Sequence, residues 1–434
     1  MANYPYKLRP IYLDRQADLC NRIVSLYIIL TPLLWACGLL VPGGILILGL
    51  FFLKTPKRII LKDAILRAWW IVGGIQAISV AINSIELNMP FWFILYRLIS
   101  TGVSGWFFIG VAFAAGKYFR LASKSIVRAT SILGAYFCSF AVFSLFFVKR
   151  IPNLDITTPL VGVMPDRFPA VDFYFILHIY KVEYLVGKGI PRLILFYPWP
   201  VMLGFAGIAI FFISLNEAKI IYRSIGMFGG LIAIFGSLSR IAIFSFALAI
   251  LLYMIMKISR VQLFSALILC CLLLSILLVM DFSATGALSD IRDSIDQMRP
   301  GSSSARKLSY EASIYGLRES PVLGHGWVGD YASKGIPIRT GSHSSIYGVL
   351  YTGGVLTFAA FCFAFGITLY ILFRSARPGR IITRSALGIA FSLAIISYAE
   401  GIYSYVLPLT FVFMFLGGSL KPKMQITQAT CVLR

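Results

Sequence analysis

The stretch IYGVLYTGGVLTFAAFCFAFGITLYILF, residues 346–373, decides the fold class of this chain. It contains 28 consecutive residues without a Lys, Arg, Asp or Glu. An α-helix rises about 1.5 Å per residue, so about 20 apolar residues cross the hydrocarbon core of a bilayer. Backbone hydrogen bonds must be satisfied internally in lipid, which for runs of this length indicates helices. We therefore expect residues 346–373 to form a transmembrane helix.

The composition of the whole chain agrees with a membrane protein. Of its 434 residues, 59% are hydrophobic and 13% are charged, whereas soluble domains carry about 25% charged residues. A soluble core stops growing at about 250–300 residues, so a soluble fold could not bury this much apolar surface. The composition excludes an ordinary cytoplasmic enzyme, a disordered chain and a disulfide-rich secreted module.

Further apolar runs resemble this stretch, and together they predict an all-α polytopic membrane protein with about 12 transmembrane helices. We expect one membrane domain over residues 1–434. The first two runs are expected to form a hairpin around Pro42-Gly43-Gly44. The predicted spans are residues 23–41, 44–53, 65–83, 94–116, 129–148, 193–215, 225–238, 241–256, 263–280, 346–373, 386–398 and 402–416.

The charge pattern predicts the orientation of these spans. The formal net charge of +22 comes from 39 Lys and Arg against 17 Asp and Glu. Such a balance is found in nucleic-acid-binding proteins, but in a membrane protein basic residues mark the cytoplasmic loops. Basic segments alternate here with turns that lack Lys and Arg, such as residues 84–93 and 399–401. Both termini are therefore expected to be cytoplasmic, and we expect no nucleic acid partner.

Two long segments fall on the outer side in this topology. Residues 149–192 are rich in proline and then, over 173–184, in Tyr and Phe, which favours an interfacial or re-entrant helix. Residues 281–345, between spans nine and ten, are polar, and loops of this length are usually functional. They contain Asp290, Asp293 and Asp296. We interpret these as a solvated helix face rather than a metal site, because metal ligands normally converge from different elements.

Arg240 is a basic residue that the topology does not require. It lies between two short apolar runs, in the stretch Gly236-Ser-Leu-Ser-Arg-Ile-Ala-Ile-Phe244, on the predicted outer side. A charge near hydrocarbon depth costs at least about 2.5 kcal/mol. Snorkelling to lipid phosphates is one explanation. The other is a phosphate-binding arginine that faces a cavity, because the guanidinium fork matches phosphate oxygens.

The second outer loop contains two further candidates. Serines 302–304 could cap a helix predicted over 307–318, which would place Arg306 in its first turn, beside N–H groups that favour an anion. The alternative is a solvated helix face. His343 belongs to a set of three histidines, with His178 and His325, all on the predicted outer side. Histidine moves protons near neutral pH, although a lone loop histidine is usually inert.

The order of these residues resembles the O-antigen ligase and polysaccharide polymerase superfamily. The matching pieces are Leu238-Ser-Arg240, Ser304-Ala-Arg306, Ser320-Pro-Val-Leu-Gly-His-Gly326, and His343-Ser-Ser-Ile-Tyr347 followed by Gly353-Gly354. The resemblance implies a membrane-embedded, GT-C-like glycosyltransferase with a large outer loop between spans nine and ten. It also implies an inverting reaction that needs neither a metal ion nor a cofactor.

The resemblance assigns roles to particular residues. Arg240 and Arg306 would hold the pyrophosphate of an undecaprenyl-pyrophosphate-linked oligosaccharide donor, and His343 would activate the acceptor hydroxyl. The family often has Asn after this histidine, where the chain has Ser, which leaves the orienting partner of the histidine open. Three residues are weaker candidates: Arg318, His325 and Ser344.

The resemblance also implies a place and a set of partners. The protein would lie in the bacterial inner membrane, with its active site on the periplasmic face. The acceptor would be a glycan in a polymerase or the lipid A core in a ligase, and residues 341–347 look more like polymerases of exopolysaccharide and capsule. Membrane lipids and other polysaccharide assembly proteins are further expected partners. A lipid-linked oligosaccharide transporter and a non-catalytic assembly partner remain alternatives.

Overall fold

Helices make up most of the described structure. The computed structural model describes residues 9–56, 62–148, 150–151, 153–160, 175–185, 188–257, 300–330, 339–377 and 379–420. The predicted span 263–280 and the predicted aspartate face of residues 290–296 lie outside these ranges. The expectation of a mainly helical chain is confirmed, with one exception in the segment 149–192.

The first half of the chain forms helices that precede a small sheet. The helices are α1 (Arg9–Ile29), α2 (Thr31–Ala36), α3 (Leu40–Lys54), α4 (Ala64–Glu86), α5 (Phe91–Arg97), α6 (Phe108–Phe119) and α7 (Lys124–Phe147). A π-helical stretch, Leu98–Phe107, joins α5 to α6. The sheet comprises β1 (Asn153–Thr157), β2 (Ile176–Leu185) and β3 (Lys188–Leu193).

The second half returns to helices. They are α8 (Pro200–Ser214), α9 (Ile220–Gly236), α10 (Arg240–Ile255), α11 (Pro300–Glu319), α12 (Ser345–Ser375), α13 (Ile381–Ile396) and α14 (Thr410–Gly418). A 3₁₀ turn, Ile402–Tyr405, lies between the last two helices.

Several helices have the length and composition of membrane spans. In the described ranges, three of them are long and apolar enough to cross a bilayer by themselves, namely α4, α7 and α12. Shorter apolar helices, among them α8, α9 and α10, accompany these three. A helical membrane protein is therefore confirmed, whereas the number of about twelve spans stays a prediction.

The segment 149–192 contains a sheet where the sequence pattern favoured an interfacial helix. The three strands are antiparallel in the order β1-β2-β3, and β2 occupies residues 176–185 of the Tyr/Phe-rich stretch. The expectation of a helix is wrong there, because β-branched and aromatic residues are frequent and fit a half-buried pleated strand. Leu177 and Ile179 are buried, while Asp155 of β1 bonds His178 between them at 2.6 Å.

Three predicted boundaries also differ from the structure. Helix α3 begins at Leu40 and runs through Pro42, since proline is tolerated in a first turn where its missing N–H has no partner anyway. The predicted span 193–215 begins as strand and becomes helical at Pro200. The predicted span 402–416 is interrupted before Thr410, because Pro408 cannot donate the backbone bond that a continuous helix requires.

Small residues set the spacing of the central helices. A Cβ on Gly134 of α7 would lie 2.8 Å from the Cα of Gly226 of α9. A Cβ on Gly207 of α8 would lie 2.6 Å from the carbonyl oxygen of Gly230. Close backbone approach at small residues is the usual way in which helices associate in lipid. The packing therefore fixes α7, α8 and α9 as one unit, whose ends position the site described below.

Candidate active site

Helix α12 is broken at Gly354, and the turn of residues 320–326 fills the break. Gly354 has φ +65° and ψ −171° inside the helix, a conformation open essentially only to glycine. The next two amides donate outside the helix, Val355 N–H to Pro321 O at 2.9 Å and Leu356 N–H to Val322 O at 3.3 Å. The turn therefore replaces helical hydrogen bonds that the break removes.

The same turn also satisfies the carbonyl groups on the other side of the break. His325 N–H donates to Tyr351 O at 2.9 Å, and Gly326 N–H donates to Thr352 O at 2.8 Å. Gly324 has φ +62°, and a Cβ there would lie 2.5 Å from Tyr351 O. The Pro-x-x-Gly-x-Gly pattern and Gly353-Gly354 thus form the two halves of one backbone junction.

Polar residues of the apolar helix α4 hold this junction from a third side. Gln76 Nε2 donates to Gly326 O at 2.9 Å, and Asn83 Nδ2 donates to Gly324 O at 3.0 Å. Ser79 Oγ donates to Leu323 O. Buried polar groups are retained in lipid where they satisfy backbone that is not helical. The junction therefore fixes α11 and α12 rigidly against α4.

His325 belongs to the junction. Its Nε2 donates to Gly316 O of α11 at 2.9 Å, and its ring stacks on Tyr351 of α12 at 4.5 Å. These contacts are structural, as the flanking glycines indicated. Arg318 is exposed in the last turn of α11, about 18 Å along the helix from Arg306. A cation there is stabilised by the helix dipole, and the structure does not bring it to the other candidates.

His343 lies directly before the N-terminus of α12. Its φ is +58°, a left-handed conformation that few residues other than glycine adopt. Ser344 caps the helix, and its Oγ accepts from the amides of Ile346 and Tyr347 at 3.2 and 3.3 Å. Serine and asparagine are comparable N-caps. The departure from the family's Asn therefore preserves the cap, and Ser344 orients His343 through the backbone.

Ser345 joins the start of α12 to the turn between α13 and the 3₁₀ turn. Its backbone N–H donates to Ser397 O at 2.8 Å and to Glu400 O at 3.0 Å, and its Oγ donates to Glu400 O at 2.8 Å. The same Oγ accepts from Ile402 N–H at 2.9 Å. Glu400 is thereby fixed next to the helix start that presents His343.

Arg306 reaches Glu400. Helix α11 begins at Pro300, and proline is common at the first position of a helix. The expectation that serines 302–304 cap this helix is therefore wrong, and Arg306 lies in its second turn. Arg306 Nη2 donates to Glu400 Oε1 at 3.0 Å. Glu400 is only 5% exposed, and this desolvation raises its pKa to about 7, although the charges of Arg306 and Arg192 oppose the rise.

Arg192 is a third arginine in this cluster. Its Nε donates at 2.7 Å to the carbonyl oxygen of Ser237. Ser237 directly follows α9 and lies three residues before Arg240, where α10 begins. Burial lowers the pKa of Arg192 to about 10, and the positive charges of Arg306 and Arg240 contribute to the fall while Glu400 opposes it. Strand β3 therefore contributes a third cation, whose charge interacts with those of Arg306 and Arg240.

His343 shares this environment. Desolvation by the surrounding protein lowers its pKa to about 4, and the charge of Arg306 adds to the decrease. The side chain is nevertheless accessible to solvent. A lowered pKa makes the neutral imidazole the main form of His343 at pH 7.

A group of tyrosines flanks the charged residues. Tyr310, one turn after Arg306, stacks on Tyr347 with ring centroids 4.3 Å apart. Both rings meet Tyr398 edge-on at about 6 Å. Tyr398 is 51% exposed. The cluster thus combines cationic side chains with a group of packed tyrosines.

Arg192 and Glu400 were missed in the sequence, although a signal exists for each. Glu400 is the sole charged residue of the turn 399–401 between two apolar runs, where a carboxylate has no topological purpose. Arg192 directly precedes a long apolar run on the outer side. Both are positions where a charge approaches hydrocarbon, as for Arg240.

Fold and site together define a helical membrane protein that gathers arginines, a carboxylate and a histidine at neighbouring helix ends. Residues 225–361 match the family model described as O-antigen ligase. The match covers about a third of the chain, and it confirms the resemblance of that segment to the ligase and polymerase superfamily. The matched segment contains Arg240, Arg306 and His343, whereas Arg192 and Glu400 lie outside it. No match to the chain is found among the curated proteins.

Proposed function

We propose that this protein is a membrane glycosyltransferase that transfers a glycan from undecaprenyl pyrophosphate to an acceptor hydroxyl. The observation that carries this proposal is the position of Arg306. The charge of Arg306 contributes to the lowered pKa of both His343 and Arg192, and the charge of Arg240 also contributes to that of Arg192. Cations suited to a pyrophosphate thus adjoin a neutral histidine suited to an acceptor hydroxyl.

The donor side of the proposal uses the three arginines. Arg192, Arg240 and Arg306 would bind the pyrophosphate, because guanidinium groups form charge-assisted bonds with phosphate oxygens. Negative charge grows on the pyrophosphate as its bond to the anomeric carbon breaks. Fixed cations stabilise that charge without reorganisation. This electrostatic role underlies a metal-independent reaction.

The acceptor side of the proposal uses His343. The acceptor oxygen attacks the anomeric carbon from the face opposite the pyrophosphate, a new C–O bond forms, and the configuration inverts. The pyrophosphate leaves with the electron pair of the broken bond. His343 takes the hydroxyl proton, for which a neutral imidazole is required, and such general base catalysis contributes about 10²–10⁴-fold.

We favour a polymerase of O-antigen, exopolysaccharide or capsule over an O-antigen ligase, from the resemblance of residues 341–347. Both reactions use the same donor chemistry and differ in the acceptor. The proposed location is the bacterial inner membrane with the site on the periplasmic face. A transporter is disfavoured because the predicted spans lack the carboxylates that couple ions to transport.

The test uses purified protein in lipid with an undecaprenyl-pyrophosphate-linked repeat unit as the sole sugar substrate. We expect a ladder of products on a gel that disappears in His343→Ala and persists in the matched control His178→Ala. Transfer that requires added lipid A core would identify a ligase. A ladder of unchanged strength in His343→Ala, or no transfer to either acceptor, would contradict the proposal.

A further inference from the structure

The pair of Arg306 and Glu400 is held firmly from both sides. Arg306 projects from the second turn of α11, and Glu400 is fixed through its backbone by Ser345. The Glu400 carboxylate is buried, and its Oε1 lies 3.0 Å from Arg306 Nη2. A buried carboxylate is costly unless it is paired, so Arg306 and Glu400 depend on each other in the empty protein.

A phosphate group competes for the same guanidinium edge. Carboxylates and phosphates accept the same charge-assisted bonds from arginine. A pyrophosphate that binds Arg306 therefore meets an anion already present at that residue. Two negative charges next to Glu400 are unfavourable unless the carboxylate moves away or is protonated.

We infer that Glu400 is a positioning residue, an internal anion that orients Arg306 in the absence of donor and yields it to the donor pyrophosphate. This inference rests on the proposed function. Glu400 takes one proton from solvent as it loses its partner, and no bond of the donor changes in this step. Donor binding is then coupled to uptake of that proton.

The sign of the coupling follows from the charges. Burial raises the pKa of Glu400 to about 7 in the empty protein, and the charge of the donor would raise this pKa further. Less of the protein is protonated as the pH rises, so donor affinity falls above about pH 7. A single proton limits this dependence to about tenfold per pH unit.

The described groups around Glu400 do not titrate in the same range. The pKa of His343 is lowered to about 4, that of Arg192 to about 10, and that of Tyr310 is raised to about 12. Burial raises the pKa of Tyr403, three residues after Glu400, and the charge of Glu400 adds to this rise. Arginine stays charged throughout. A pH dependence between about pH 6 and pH 8 therefore reports on Glu400.

The experiment measures binding of undecaprenyl-pyrophosphate-linked N-acetylglucosamine to the full chain in lipid nanodiscs at about pH 6 and about pH 8. This probe is a diphosphate diester, so its own two charges are constant in that range. We expect wild type to bind about tenfold more tightly at the lower pH, as one proton allows. Glu400→Gln should bind tightly and equally at both, and the exposed control Glu86→Gln should behave as wild type.

The outcomes separate the inference from the function on which it rests. Absence of binding at either pH would overturn both. Equal affinity of wild type at both pH values, or loss of binding in Glu400→Gln, would overturn the inference alone. The Gln amide oxygen still accepts from Arg306, which favours folding. If this variant does not fold, calorimetry of wild type in buffers of different ionisation enthalpy decides by counting the proton taken up.

Discussion

The junction at Gly354 and the cluster around Arg306 lie on the same two helices and are built by opposite means. The junction joins neutral backbone groups of residues 320–326 to α12, through two amides and two carbonyl groups of that helix. The cluster brings like charges together, so that burial and then the charge of Arg306 lower the pKa of both Arg192 and His343. The first arrangement stabilises the fold, and the second is a cost that a bound anion would offset. Motif residues of one family segment therefore serve either scaffold or chemistry.

The largest expected effect is a loss of transfer rate without a loss of stability. Replacing His343 by Ala removes the proposed base, so the transfer rate should fall about 10²–10⁴-fold. The side chain is exposed, so the thermal unfolding midpoint and donor affinity should stay unchanged. Rate assays and thermal unfolding on the same preparations check this. If the variant lost both transfer rate and stability, His343 would have a structural role instead of a catalytic one.

The opposite pattern is expected for Gly354→Ala. A side chain in the observed conformation is strained by about 1–3 kcal/mol, and the added methyl would meet the backbone of Val322. The unfolding midpoint should fall markedly. Gly366→Ala on the same helix is the matched control, since its Cβ meets open space, and there alanine should be neutral or stabilising by about 0.5–1 kcal/mol. Equal unfolding midpoints in the two variants would contradict the role of Gly354 in the backbone junction.

A smaller effect is expected on the donor side. Arg192→Gln removes a charged partner of the pyrophosphate, which is worth about 1.5–3 kcal/mol, or about tenfold to a hundredfold in dissociation constant. Arg192→Lys should recover part of this affinity because it retains the charge. Arg150→Gln removes an exposed arginine three residues before β1 of the same sheet and should change little. Donor binding in nanodiscs measures all three, and an affinity of Arg192→Gln equal to wild type would remove Arg192 from the site.

The smallest expected effect is a shift in a titration. Burial lowers the pKa of His343, and charge repulsion from Arg306 adds to the decrease, so Arg306→Gln should raise that pKa part of the way toward the ordinary value of about 6.5. The neighbouring Lys307 is exposed, and Lys307→Gln should leave the titration unchanged. With three histidines in the chain, NMR of labelled imidazoles can resolve His343. An identical pKa of His343 in wild type and in Arg306→Gln would show that the charge of Arg306 does not act on His343.

Features that depend on composition and on the local order of residues could be predicted from the sequence. Long apolar runs predict α4, α7 and α12, and the short motifs around Arg240, Arg306 and His343 carry the resemblance to the O-antigen ligase and polymerase superfamily. The expectation of an interfacial helix over residues 176–185 was wrong, because aromatic and β-branched residues suit both an interfacial helix and a strand. Pairing with the neighbouring strands decides between the two. Strand pairing depends on contacts distant in sequence, which local patterns do not contain.

Convergence of the site could not be read from the sequence for the same reason. Glu400 meets Arg306 across 94 positions of chain, and Arg192 meets the α9–α10 turn across 45. Neither pairing leaves a local pattern, and each residue alone is one more charge beside an apolar run. The glycines 324 and 354 were visible as a pattern, but their shared purpose appears only when the turn enters the helix.

The most direct test of the central claim is a cryo-EM structure of the protein in nanodiscs with an undecaprenyl-pyrophosphate-linked sugar. The account predicts pyrophosphate density bonded to Arg240 and Arg306 within reach of Arg192, with the anomeric carbon facing His343 and the Arg306–Glu400 bond broken. Pyrophosphate bound elsewhere, with Arg306 still 3.0 Å from Glu400, would contradict it.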